Sequence, residues 1–175
     1  FPEAELISHR LTRETLLKVG AESLAQAKAQ TPALAHVELR IPQLVFETDL
    51  LLRLGEKTIH LMHAPGHAPD AIMAHLREDK VLVASDVVTP VPLIVRGNSE
   101  ELAKSLRQIK SLNLENVVQG HGGVLLRGEI DVELLGRGGI GGLQRHLTGL
   151  GVLTADSKVR GQRSLFATAL ATDFK

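Results

Sequence analysis

Three short stretches of the sequence place a potential metal ligand directly after a run of apolar residues. They are Ala64-Pro65-Gly66-His67, Ala84-Ser85-Asp86 and Gly120-His121-Gly122. The chain has no Cys, so any metal must be held by His and carboxylate, which zinc accepts as ligands. A carboxylate can also bridge two metals. His67, Asp86 and His121 are therefore candidate metal ligands, although a Pro-Gly-His taken alone is a common surface turn.

The candidate ligands follow predicted strands over residues 59–63, 80–83 and 116–119. Strand ends on a rigid sheet fix the direction of a side chain, and neighbouring Gly and Pro let the backbone turn sharply beside it. The last strand comes after a predicted helix, in which Asn98 and Glu101 resemble a capping box before an apolar stripe. The order strand, helix, strand predicts an α/β fold with a mixed sheet and flanking helices.

The sequence before these turns predicts further elements. A short strand over residues 4–8 precedes a helix that Thr12 caps and that extends to about Gln30. From Val37 to Ile41 apolar residues alternate with polar ones, which predicts a strand, and antiparallel strands joined by short turns follow up to Leu61.

Residues 1–135 are predicted to form one folded portion, in which residues 71–76 and 80–84 make a second hairpin. The amino-acid composition then changes after residue 135. Residues 136–175 are rich in Gly and carry more basic than acidic side chains, which predicts an irregular tail with a short helix at 164–171.

At the Pro-Gly-His, Ser-Asp and Gly-His stretches the chain resembles the C-terminal half of the metallo-β-lactamase superfamily, closest to its glyoxalase-like or cyclase-like branch. The resemblance extends from Phe1 to about Val132. It implies a partial αββα sandwich, of which this chain supplies one sheet. It also implies a site for two zinc ions, in which His67 belongs to the first metal, His121 belongs to the second, and Asp86 bridges them.

One diagnostic feature of the superfamily does not occur in the 175 residues: the motif His-x-His-x-Asp-His, which supplies ligands to both metals. Because zinc sites usually have at least three protein ligands, we expect weak or absent zinc binding by the chain alone. The chain also begins at Phe1 rather than Met, from which we expect an upstream segment.

The other histidines are not expected to replace the missing ligands. His60 and His63 point to opposite faces of one strand, and three others lie on other elements, namely His9, His75 and His146. His63 is the candidate for a supporting role beside the site, against the simpler interpretation of a hydrogen-bonded strand residue. Asp70 is interpreted as a capping or turn residue rather than a catalytic group.

The balance of charge narrows the class of partner. Lys plus Arg and Asp plus Glu are 20 each, so nucleic acid and anionic membranes are disfavoured and a small-molecule substrate is expected. No apolar run approaches the roughly 18 residues of a membrane span. Composition leaves the compartment open, with a cytoplasmic location slightly favoured.

The resemblance implies a zinc-dependent hydrolase that attacks an ester, thioester, lactone or β-lactam-type bond through a metal-bound hydroxide, with Asp86 as the catalytic residue that orients it. Two alternatives stand beside this hypothesis: a non-catalytic scaffold or binding module that has lost its metal, and one component of a split enzyme. The isolated chain is expected to be inactive. Because a single sheet of the sandwich exposes its inner face, we also expect self-association or a complementary N-terminal segment.

Overall fold

The computed structural model describes residues 3–89 and 93–127. The predicted tail over residues 136–175 and its helix at 164–171 lie outside the described residues. The elements are, in chain order, β1 (Ile7–His9), α1 (Arg10–Thr15), a π-helical turn (Leu16–Gly20), α2 (Ala21–Gln30), a 3-10 turn (Pro32–Leu34), β2 (Leu44–Phe46), β3 (Asp49–Leu54), β4 (Lys57–His63), β5 (Ile72–Leu76), β6 (Val81–Ser85), α3 (Ser99–Ser111), β7 (Asn116–Gln119) and β8 (Val124–Leu126).

Six strands form one mixed sheet in the order β3-β4-β5-β6-β7-β8. Every neighbouring pair is antiparallel except β6 and β7, which are parallel and are joined by the crossover that contains α3. A parallel pair requires such a crossover, whereas antiparallel neighbours need only a tight turn. The predicted order strand, helix, strand and the predicted hairpin around residues 77–79 are confirmed.

Helix α3 covers one face of this sheet and forms the core with it. The side chain of Asn98 accepts a hydrogen bond from the backbone N–H of Glu101 at 2.9 Å, which confirms the predicted N-cap. From α3, Leu102 and Ile109 are almost fully buried. They join the core cluster with sheet residues that are exposed by 1% or less, namely Met62, Met73, Leu82, Ala84 and Val117.

Strands β1 and β2 pair in parallel as a separate two-stranded sheet beside α1. The buried ring of His9 stacks on that of His63, with ring centroids 3.9 Å apart and planes 12° from parallel. The Nε2 atom of His9 also lies 2.8 Å from the carbonyl oxygen of Glu47. The stacking contact joins β1 to β4, and the contact with Glu47 joins β1 to the residue that follows β2.

The predicted start of the first helix is wrong. The helix begins at Arg10, and the ring nitrogen Nδ1 of His9 accepts the N–H of Leu11 as its N-cap. Thr12 lies inside the helix and donates its hydroxyl hydrogen to Asp70 at 2.9 Å. A histidine can cap a helix because a neutral ring nitrogen accepts a hydrogen bond as a hydroxyl oxygen does.

The predicted strand from Val37 to Ile41 is also wrong, since these residues form neither strand nor helix. One of their apolar side chains, that of Leu39, contacts the helical region instead. A Cβ placed on Gly20 would lie 3.1 Å from a methyl carbon of Leu39, so this segment packs across the helical region instead of joining a sheet.

No helix in the described part of the chain is long and apolar enough to cross a membrane.

Candidate metal centre

His67 is held by two sets of hydrogen bonds to the segment that follows β6. Its ring nitrogen Nδ1 lies 2.8 Å from the carbonyl oxygen of Leu93, and its own carbonyl oxygen accepts the N–H groups of Val95, Arg96 and Gly97 at 2.9–3.3 Å. A carbonyl oxygen only accepts, so Nδ1 carries a hydrogen and Nε2 is the ring nitrogen that remains to bind a metal. His67 therefore presents Nε2 as its available ligand atom.

The turn that carries His67 is packed closely against α3. The buried Ser105 donates its hydroxyl hydrogen to the carbonyl oxygen of Pro65 at 2.7 Å. Gly66 has φ +139°, and a Cβ built there would lie 2.2 Å from the Cα of Leu102. Only Gly fits at this position, which explains why the sequence turns through Pro-Gly before His67.

Asp86 follows an irregularity at the end of β6. Val83 pairs with Val118 and Ser85 pairs with Gln119. These partners are consecutive in β7 but two residues apart in β6, so β6 has one extra residue here. Ser85 has φ +51°, a left-handed conformation that is uncommon for residues other than Gly. A bulge re-aims the side chains next to it, and here it brings the Asp86 carboxylate toward the histidines.

His121 lies in the loop between β7 and β8, and its side chain is exposed. The preceding Gly120 donates its N–H to the carbonyl oxygens of Ser85 and Val88 at 2.8 and 3.2 Å. A Cβ on Gly120 would lie 1.9 Å from Oδ1 of Asp86. The absence of a side chain at Gly120 thus makes room for the carboxylate.

The structure brings the three sequence-predicted residues together around Asp86. Its Oδ2 lies 3.4 Å from Nε2 of His67, and its Oδ1 lies 3.4 Å from Nε2 of His121. Two ligands bound at about 2.1 Å to one tetrahedral zinc ion lie about 3.4 Å apart. Because Nε2 of His67 faces a carboxylate oxygen, a proton or a cation between them would be favourable.

The number of donors falls short of what zinc requires. Each of two metals would receive one imidazole nitrogen and one carboxylate oxygen, while zinc sites have at least three protein ligands. Across residues 3–89 and 93–127 no group of three or more His, Cys, Asp or Glu residues is arranged to hold a metal ion. The spacing of each pair fits zinc, but the donor set within the described residues does not complete a site.

The neighbouring polar residues have structural partners. His63 lies with Nε2 2.8 Å from the carbonyl oxygen of Pro69, and Asp70 accepts from Thr12 and lies 3.6 Å from Arg96. Asp70 therefore ties α1 to the loop after His67 through side-chain contacts, and not through the capping or turn hydrogen bonds that were predicted. None of these contacts makes His63 or Asp70 a substitute ligand.

Two buried histidines on other elements have lowered pKa values. Burial lowers the pKa of His9 below 6.5. The hydrogen bond to the Glu47 carbonyl raises this pKa in part, and the neighbouring His63 lowers it further. Burial also lowers the pKa of His75, and its Nε2 atom has no hydrogen-bond partner among the described residues. Both rings are therefore neutral components of the fold at neutral pH.

Sequence reasoning missed the residues that position the ligands. Ser105 and Leu93 are far from His67 in sequence, and Leu93 acts through its backbone carbonyl, which no side-chain motif reveals. The bulge at Ser85 also left no recognisable signal. Only the glycines beside His67 and His121 could be recognised from the sequence.

The family model described as the metallo-beta-lactamase superfamily matches residues 4–121. The chain belongs to the metallo-beta-lactamase superfamily. The match includes all three candidate ligands, and the architecture is a partial αββα sandwich of this superfamily.

Solved structures share the fold. The B3 metallo-beta-lactamase BLEG-1 is 20% identical with a TM-score of 0.56, and the match covers 73% of this chain and 62% of that one. A metallo-beta-lactamase from Pontibacter korlensis is 14% identical with a TM-score of 0.55, covering 82% and 59%. A metallo-beta-lactamase family protein from Thermus thermophilus is 20% identical with a TM-score of 0.56, covering 83% and 53%.

The chain thus spans between about half and three fifths of the length of these metallo-beta-lactamase structures. No curated protein matches the sequence.

Proposed function

We propose that this chain supplies one part of the active site of a zinc-dependent hydrolase, with His67, Asp86 and His121 as its metal ligands. The supporting observation is the placement of two imidazole nitrogens at 3.4 Å from the two oxygens of one carboxylate. In this proposal Asp86 bridges two metals, and the two imidazoles that face its two oxygens support the catalytic role proposed for it.

The remaining ligands come, in this proposal, from another polypeptide segment, because the described residues leave each metal short of donors. A small molecule with an ester, thioester, lactone or β-lactam-type bond is the proposed substrate class. The balanced charge of the chain supports a small substrate over a polyanion.

Zinc content tests the proposal. The purified chain is measured alone and together with a segment that carries His-x-His-x-Asp-His, and we expect stoichiometric zinc only in the mixture. Replacing Asp86 with Ala should abolish this zinc uptake. Replacing Asp70 with Ala provides the matched control, since Asp70 is a nearby carboxylate that pairs with Thr12 and Arg96.

Hydrolysis of a panel of esters, thioesters, lactones and β-lactams by the zinc-loaded mixture tests the reaction class. Zinc uptake that survives the Asp86→Ala substitution would contradict the ligand assignment. If zinc is absent both from the chain alone and from the mixture, a non-catalytic scaffold would be favoured. This is the second candidate function, and the small number of metal donors among the described residues supports it.

A further inference from the structure

Strand β3 forms one edge of the six-stranded sheet, and among the described residues it pairs only with β4. The N–H of His63 donates to the carbonyl oxygen of Thr48, which makes these two residues a hydrogen-bonded pair. In an antiparallel ladder such pairs alternate with pairs that direct their N–H and C=O groups away from each other. Along β3 the outward-directed backbone groups therefore belong to Asp49, Leu51 and Arg53. No backbone hydrogen bond joins them to another described segment.

The side chains of these three residues are exposed along the same edge. They lie on the side of the sheet that carries α3, because Asp49 is opposite the buried Met62. Leu51 is 50% exposed, the Asp49 side chain is 54% exposed, and Arg53 is exposed as well. Oδ1 of Asp49 lies 3.1 Å from Nε2 of His60, whereas Arg53 has no ion-pair partner within residues 3–89 and 93–127. The edge thus presents an apolar side chain between an anion and a cation.

We propose that β3 pairs with β3 of a second copy of this chain, in an antiparallel register centred on Leu51. A two-fold axis perpendicular to the sheet would place Leu51 against Leu51 and Asp49 against Arg53 of the other copy. Each of the three facing pairs then exchanges two hydrogen bonds, so the outward N–H and C=O groups of all three residues are paired. The sheets of the two copies become one continuous sheet.

Charge complementarity supports a second copy as the occupant of this edge. Charged side chains on an edge strand normally oppose pairing with another strand. Asp49 and Arg53 carry opposite charges at equal distances on either side of Leu51, so this two-fold axis brings each charge opposite the other sign. A register centred on Asp49 or on Arg53 would instead place like charges opposite each other. Among the three registers centred on an outward-directed residue, only the one centred on Leu51 is free of this repulsion.

The edge lies outside the layers that an αββα sandwich places on the sheet. Helix α3 packs on one face, and the second sheet of this architecture packs on the other, so both layers cover faces. Pairing at β3 is therefore compatible with the complete sandwich. It is also independent of the proposed function, because no residue of β3 is a proposed metal ligand.

Sedimentation velocity of the full chain over a range of concentrations tests the pairing, with EDTA present to remove association through metals. We expect a reversible dimer of twice the 18.9 kDa of the monomer. Asp49→Arg and Arg53→Asp each place like charges opposite each other at two positions, so each should raise the dimer dissociation constant by about 10-fold or more. Arg107→Asp is the matched control, because Arg107 is exposed on α3 rather than on the edge strand and should leave the dimer unchanged.

Mixing the two charge-reversed variants gives a sharper test of the register. In a heterodimer of Asp49→Arg with Arg53→Asp, one chain carries two cations and the other two anions, so both facing pairs are attractive again. We expect the equimolar mixture to dimerise as the unsubstituted chain does, at a concentration at which each variant alone is monomeric. Neither a loss of folding nor a dimer formed through another surface would produce this rescue.

Disulfide formation locates the two-fold axis. The chain has no Cys, so Leu51→Cys introduces a single thiol that can pair only with that of another copy. Facing residues of a hydrogen-bonded pair have Cα atoms about 5.5 Å apart, within the range of a disulfide. Leu54→Cys is the control, because Leu54 is 62% exposed, yet its two copies would lie about 20 Å apart in this register. In oxidised glutathione we expect a covalent dimer with Leu51→Cys only.

A chain that stays monomeric up to about 1 mM would overturn the proposal. So would a dimer that neither charge reversal weakens, a mixture of the two variants that does not dimerise, or equal cross-linking of the two Cys variants. Far-UV circular dichroism of each variant confirms that it has folded.

Discussion

Replacing Gly66 with Ala tests whether the turn before His67 is shaped by its contact with α3. Gly66 has φ +139°, and a Cβ there would lie 2.2 Å from the Cα and 2.4 Å from the N of Leu102. Both atoms belong to the helix backbone, so they cannot move without displacing the first turns of α3. The same helix donates from Ser105 to the carbonyl oxygen of Pro65, so the turn has little room to move away.

Gly55 is the matched control, because it also has a positive φ, +60°, but no atom lies within 4 Å of its Cβ position. Ala at Gly55 should cost only the left-handed backbone penalty of about 1–2 kcal/mol. Ala at Gly66 adds overpacking of about 1–3 kcal/mol to backbone strain of about 1–3 kcal/mol. We expect a total near 4 kcal/mol, a large fraction of the roughly 5–15 kcal/mol that stabilises a typical domain.

Urea unfolding followed by far-UV circular dichroism measures the difference, since the chain has neither Trp nor Tyr for fluorescence. With a slope of about 1–3 kcal/mol per molar urea, the midpoint of Gly66→Ala should lie about 1 M or more below that of Gly55→Ala. Equal midpoints for the two variants would refute the close approach of the turn to α3.

Three further predictions concern the capping of α3, the protonation of His9 and the carboxylate at the candidate metal centre. Asn98→Ala should lower the free energy of unfolding by about 1 kcal/mol through loss of the N-cap, measured by urea unfolding, while Asn98→Ser should restore most of it. Because burial lowers the pKa of His9 below 6.5, the unfolded chain takes up a proton below that pH more readily than the folded chain, so stability should fall as the pH decreases from about 7.5 to about 5.5. A smaller pH dependence in His9→Gln would support this assignment, and an unchanged one would contradict it. Gly120→Ala should displace the Asp86 carboxylate, because the new Cβ would lie 1.9 Å from Oδ1, and the ring resonances of His67 and His121 in NMR spectra should shift, whereas Gly123→Ala, with nothing near its Cβ position, should leave them unchanged.

The sequence was most informative where a periodic pattern ended at a turn. The strand before His67, the hairpin around residues 77–79 and the α3 cap were predicted because period-two alternation, charged turns and the Asn98-to-Glu101 spacing are local signals. Prediction from the sequence failed where a side chain contacts an element that is distant in sequence. Residues 37–41 alternate as a strand would, but they pair with no strand, and Leu39 contacts Gly20 instead.

The same distinction applies to the candidate site. The ligand-type residues could be predicted because their identity is written in the sequence, and the structure places Asp86 within 3.4 Å of both imidazoles. Their orientation could not be predicted, because it depends on the Leu93 carbonyl and on a bulge at Ser85. Backbone groups and register shifts have no side-chain signature.

The contacts that orient His67 and Asp86 all lie within the described residues. The Leu93 carbonyl fixes a hydrogen of His67 on Nδ1, while the bulge at Ser85 and the bare backbone of Gly120 leave room for the Asp86 carboxylate between the two histidines. Protein contacts alone therefore orient the ring of His67. A segment that supplies further ligands would not have to meet the cost of orienting the His67 ring, so the zinc affinity of the completed site should depend mainly on the placement of the added donors.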